Sequence, residues 1–72
     1  MKNKHEFNYL GPRIASLRKG LGLSQVQLSE KCGIQLYAIR GLERSERLMS
    51  LPTCLCLARS LGVTLTQLLE KE

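Results

Sequence analysis

The residues in this 72-residue chain that could do chemistry are few. There are three cysteines (Cys32, Cys54 and Cys56), one histidine (His5) and a set of arginines in the middle of the sequence. An odd cysteine count excludes a complete intramolecular disulfide framework. Cys54 and Cys56 are two apart, which on a helix puts them on nearly opposite faces, so they cannot clasp one metal ion together. Cys32 and Cys54 fall on apolar periodic positions and read as small buried hydrophobes. His5 lies in an expected tail and has no partner in the pattern. The acids are scattered, with no carboxylate pair and no nucleophile beside a base, so an enzyme is not expected. No metal site and no cofactor are expected either.

The arginines remain. The formal charge is +5, and it is unevenly placed. Residues 13–47 carry seven basic side chains (Arg13, Arg18, Lys19, Lys31, Arg40, Arg44, Arg47) against Glu30, Glu43 and Glu46, whereas residues 48–72 are neutral and leucine-rich. A basic middle beside an apolar end implies a polyanion-facing half and a packing half. No apolar run approaches the length that spans a bilayer, and no apolar core follows the charged start, so neither membrane span nor signal peptide is expected. The expected location is cytoplasmic. A chain this short leaves no room for an effector domain, and no small-molecule ligand is expected.

The elements that must position these arginines are all helical, because no segment alternates apolar and polar residues as a strand does. Glycine and proline divide the chain into five segments. The first runs from about Asn8 or Gly11 to Lys19, with Leu10, Ile14, Leu17 and Leu21 as one stripe and Gly20-Leu21-Gly22 ending it. The second opens with Ser24 and Gln27, a capping box, buries Leu28 and Cys32, and stops at Gly33. The third runs from Gln35 to about Glu43 with Ile39 and Leu42 inward. Its outer side then holds Gln35, Leu36, Tyr37 and Arg40, an unusual set for a merely solvated face. The fourth is capped by Ser50, carries Pro52 in its first turn, and buries Leu51, Cys54, Leu57, Ala58 and Leu61 before Gly62. The fifth begins with a second capping box, Thr64 and Gln67, and crowds Leu65, Leu68 and Leu69 together.

Two short helices, 24–32 and 35–43, joined by a turn with one glycine, form a helix-turn-helix unit. The helices cross closely, so a contact residue is small (Ser29), and the turn needs a positive backbone angle (Gly33).

At this level the chain resembles a family. Leu21-Gly-Leu-Ser-Gln25, Leu28-Ser-Glu-Lys-Cys-Gly-Ile34, Ile39-Arg-Gly-Leu-Glu-Arg44 and Leu57-Ala-Arg-Ser-Leu-Gly-Val63 look like the phage-repressor-type helix-turn-helix domain (Cro and CI, or XRE family) of prokaryotes and their phages. Within it, the Gly-Leu-Glu-Arg-x-x-Arg run resembles restriction-modification controller proteins. The resemblance implies an all-α, five-helix, lambda-repressor-like DNA-binding domain over residues 9–70 after a tail at 1–8. The helix-turn-helix unit falls at about 24–43 and a dimerisation helix at about 64–70. It implies a transcription regulator, such as a repressor, whose partners are double-stranded DNA and a second copy of itself. Base-reading residues would be Gln35, Leu36, Tyr37 and Arg40, with Gly41 leaving a contact position empty. Phosphate contacts would come from Gln25, Arg44, Ser45 and Arg47. Arg18 and Glu43 would form a structural ion pair. Val63, Leu65, Leu69 and Leu55 would form the dimer interface, since the last third carries more leucine than one short helix needs for a core. Two other functions fit the same fold: an antitoxin of a toxin–antitoxin pair, and a protein–protein module without strong DNA readout, for which Leu36 and Tyr37 speak.

Overall fold

Five α-helices follow one another without a strand among the described residues, which are 9–47 and 49–70 of a computed structural model. They are α1 Leu10–Gly20, α2 Gln25–Cys32, α3 Leu36–Glu43, α4 Leu51–Leu61 and α5 Leu65–Leu69. The expected tail, with His5, lies outside the described residues.

The caps fall where side-chain chemistry requires them. Ser24 accepts from the Gln27 amide at 3.0 Å while the Gln27 side chain accepts from the Ser24 amide at 2.8 Å. Thr64 and Gln67 repeat the arrangement at α5. Ser50 caps α4, with Pro52 in the first turn. Each box satisfies amides that the first turn of a helix leaves without partners.

Ile14, Leu28, Ile39, Leu57 and Leu68 are fully buried, one from each helix, and form the centre of the core. Leu42, Cys54, Ala58 and Leu61 complete it, with Leu17, Cys32, Ile34, Met49, Val63 and Leu65 packed partly against it. Three sequence expectations are corrected here. Leu21 leaves the α1 stripe and is mostly exposed, because the helix has ended at Gly20 and the chain has turned away. Leu51 is 60% exposed, since it occupies the first turn of α4 before that helix meets the core. Cys32 is only half-buried, at the last residue of α2.

Two further devices join the ends of the fold. Gly11 lies so close to the end of α3 that a Cβ there would stand 2.6 Å from the Leu42 carbonyl oxygen. The α5 carbonyls, which a helix end leaves without intrahelical donors, are met from α1: Tyr9 donates to the Leu69 carbonyl, and Arg13 donates twice to the Gln67 carbonyl, at 2.7 and 3.2 Å. Arg13 is therefore engaged with α5.

Candidate nucleic-acid interface

The unit built from α2 and α3 turns on Gly33, whose φ is +73°. That backbone region is open to glycine and strained for residues with a Cβ. Its amide donates to the Ser29 carbonyl at 2.8 Å, closing α2. Ser29 does more than stay small, because its hydroxyl donates to the Ile34 carbonyl on the far side of the turn. The turn is thus bonded from both backbone and side chain.

The opposite end of the unit is fixed by a charged network. Arg18 of α1 meets Glu43 of α3 bidentately, at 2.6 and 3.0 Å, and donates to the Leu23 carbonyl at 2.9 Å. Gln25, the first residue of α2, donates to the same carboxylate at 3.0 Å. The Arg18 and Glu43 side chains are only 10% and 6% exposed. Burial alone would raise the Glu43 pKa. The hydrogen bonds from Arg18 and Gln25 and the nearby positive charge of Arg18 and Lys19 outweigh it and hold the carboxyl below its ordinary value. Glu43 is also the last residue of α3, where the helix dipole disfavours an anion, so the geometry rests on Arg18. The network ties the start of α2 and the end of α3 to α1, and it leaves the first turns of α3 outside.

On α3, Ile39 and Leu42 are buried and Gln35, Tyr37 and Arg40 are exposed. Gln35 is the N-cap residue and makes no side-chain cap bond, so its amide is not spent on the helix. Tyr37 is 64% exposed. Leu36 is half-buried, turned partly into the protein. Gln35, Leu36 and Tyr37 thus stand at the start of the helix and Arg40 a turn further on, with Leu36 the least exposed.

After α3 the chain turns through Ser45, the one non-glycine residue with positive φ among those described, at +62°. The Ser45 amide donates to the Leu42 carbonyl and the Glu46 amide to the Gly41 carbonyl, a Schellman motif with serine where glycine is usual. Arg44 is exposed and 3.6 Å from Glu46, a solvent-screened contact that contributes little. Arg47 behaves differently. Its stem crosses α3 over Gly41, where a Cβ would come within 2.8 Å of the arginine Cδ, and its guanidinium lies 5.4 Å from the Tyr37 ring centroid. The position that Gly41 was expected to leave empty is filled by Arg47, which joins the α3 face as a cation–π pair with Tyr37. Spacing alone could not show this, because the contact depends on how the loop folds back.

Gln25 is engaged with Glu43, so one of its amide hydrogens points into the network. Among the four residues expected at the dimer interface, Val63 and Leu65 pack partly against the core, Leu69 is half-buried and Leu55 is 45% exposed. The surplus of leucine in the last third is therefore shared between core and surface. Among the described residues, Leu51 and Leu55, one turn apart on α4, are its most exposed members.

Comparison with known proteins agrees with this geometry. Residues 14–68 match a family model described as helix-turn-helix. The fold superposes on the restriction-modification controller protein C.AhdI from Aeromonas hydrophila, with a TM-score of 0.80 and 36% identity over 82% of this chain and 89% of that one. It also superposes on the hypothetical transcription factor NHTF from Neisseria, with a TM-score of 0.86 and 25% identity over 97% of this chain and 82% of that one. A propionyl-CoA carboxylase regulator from Cereibacter sphaeroides is 34% identical over 64 residues, 89% of this chain; the match spans 14% of that regulator's length. The fold and the turn between α2 and α3 define a DNA-binding domain of transcription regulators. The chain belongs to the helix-turn-helix family, in its phage-repressor-type branch.

Proposed function

We propose that the chain regulates transcription as a homodimer that binds an inverted-repeat operator. The observation that carries the reading is the exposure of Gln35, Tyr37 and Arg40 along a helix whose opposite face is buried, with Arg47 over the Tyr37 ring. In this reading the first turns of α3 enter the major groove. Gln35 and Arg40 are able to make bidentate bonds to base edges, and the exposed edge of Leu36 offers contact to a thymine methyl. Arg44 and the backbone around Ser45 contact phosphates, whose neutralisation supplies affinity without sequence preference. Gln25 turns its remaining amide hydrogen to a phosphate at the start of α2. Arg47 acts with the readers as well as on the backbone, because it starts from the α3 face.

One domain of this size makes too few base contacts to select a site, and two-fold symmetry doubles them. The dimer contact is proposed on Leu55 with Val63, Leu65 and Leu69. Symmetric pairing there sets two α3 helices about 34 Å apart and half-site centres about 10–11 base pairs apart. The protein would act in the cytoplasm, on the nucleoid.

Sedimentation of the wild type and of Leu55→Glu tests the dimer. Leu55 is exposed enough for a glutamate to leave the fold intact, so the variant should be monomeric, folded, and no tighter on two half-sites than on one. A wild type that stays monomeric at micromolar concentration and binds one half-site as tightly as two contradicts the model.

A further inference from the structure

Cys32 ends α2 and Cys56 lies in the middle of α4, yet the two meet. The Cys56 thiol donates to the Cys32 carbonyl at 2.9 Å. A carbonyl oxygen lies about 2.4 Å from its own Cα by standard backbone dimensions, so the Cys56 sulfur comes within about 5 Å of the Cys32 Cα. The Cys32 and Cys56 side chains also lie within hydrogen-bond reach of each other. Both are free, half-buried thiols, and both line an open cleft with Lys31, Arg59 and Ser60. The third cysteine has a different setting: Cys54 is buried in the core with its sulfur against that of Met49. The C-x-C pattern therefore divides by helix face, and Cys56 finds its neighbour on another helix.

We propose that Cys32 and Cys56 form a thiol–disulfide exchange site for a small anionic disulfide of the glutathione-disulfide class, which closes them into a bond between α2 and α4. The cleft supplies what this needs. Lys31 and Arg59 line it together with the two cysteines, and no acid lines it among the described residues. A cationic rim draws in an anionic disulfide. Burial first, and then the neighbouring Cys56 thiol, push the Cys32 thiol upward, opposed by the Ile34 amide.

The chemistry balances. One cysteine thiolate attacks the small disulfide, whose S–S bond breaks, and half of it leaves as a thiolate that takes up a proton. The second cysteine gives its proton to water and attacks the mixed disulfide, and the other half leaves in the same way. Two protein thiols and one small disulfide become one protein disulfide and two small thiols. The small disulfide is the oxidant and gains two electrons.

The test treats the reduced 72-residue chain with glutathione disulfide, maps peptides by mass spectrometry, and checks chain number on a non-reducing gel. The expected product is a single chain with Cys32 linked to Cys56, reversed by dithiothreitol, and with Cys54 unmodified. Cys56→Ser should stall as a glutathione adduct on Cys32, and Cys32→Ser as an adduct on Cys56. Lys31→Glu combined with Arg59→Glu should slow reaction with glutathione disulfide and leave the rate with neutral hydroxyethyl disulfide unchanged. The proposal is overturned by cross-links between chains, by modification of Cys54 at the same rate, by adducts in the wild type that never close, or by an equal charge-reversal effect on both reagents.

Discussion

The half of the molecule formed by α1–α3 and the half formed by α4 and α5 share one apolar core and differ in the directional bonds added to it. In the first, directional bonds set the geometry. Arg18, Gln25 and Glu43 form one network, Ser29 bonds across the turn, and α3 ends in a bonded Schellman loop. In the second, leucine packing does most of the work. Leu57 and Leu68 are fully buried, Leu61 nearly so, and Tyr9 and Arg13 add hydrogen bonds onto α5 carbonyls. Apolar burial is strong but not directional, so it suits a support. A charged network is weaker in net energy and fixes angles, which suits the part that must present Tyr37 and Arg40 at a set orientation.

The contrast can be broken from the apolar side first. Leu68→Ala removes a fully buried side chain and should cost about 2–5 kcal/mol, a large share of what so small a domain has. Denaturant melts should show a lower midpoint. A loss well under 1 kcal/mol would mean that α5 is not part of the core.

Glu43→Gln strikes the polar side. It leaves the Arg18 charge at the edge of the core with a neutral partner and should cost about 1.5–3 kcal/mol. The pH dependence has a definite sign. Glu43 has a folded-state pKa below its unfolded value of 4.5, so its contribution is present above that value. It is lost as the pH falls through the lower, folded-state pKa. The wild type should therefore lose more stability on acidification than Glu43→Gln does. Parallel melting curves for the two proteins from pH 6 down to about pH 2, well below ordinary carboxylate values, would remove the ion pair from the account.

Ser45→Gly is the smallest change and goes the other way. Relief of a left-handed serine should add about 0.5–1 kcal/mol at an otherwise intact loop end. A destabilised variant would show that the serine hydroxyl contributes more than its backbone costs.

Much of this architecture is legible in the sequence, because local signals carry it. Ser24 with Gln27 and Thr64 with Gln67 are capping boxes that need no tertiary information, and Gly33 marks its own turn. The inward set on α3 follows from spacing, and the pairing of Arg18 with Glu43 followed from the resemblance to the phage-repressor family. What the sequence hides is contact between distant segments. Nothing near Tyr9 or Arg13 announces that they bond carbonyls on α5. Nothing at Gly41 announces that Arg47 lies over it, and the meeting of Cys32 with Cys56 depends on how α2 crosses α4. Leu51 misled because a leucine at helical spacing in a first turn can stand clear of the core. The leucine excess at the end was visible, but its division between core and surface was not.

The central claim is that the outer face of α3 reads base sequence while Arg44 in the loop mainly supplies charge. The direct measurement is binding of wild type, Arg40→Ala and Arg44→Ala to a selected operator and to random DNA across a salt series. The account predicts that Arg40→Ala loses about 1–3 kcal/mol on the operator and little on random DNA. Arg44→Ala should weaken both and reduce the salt slope by about one unit per half-site. If Arg40→Ala weakened operator and random DNA equally, α3 would not be reading bases and the account would be wrong.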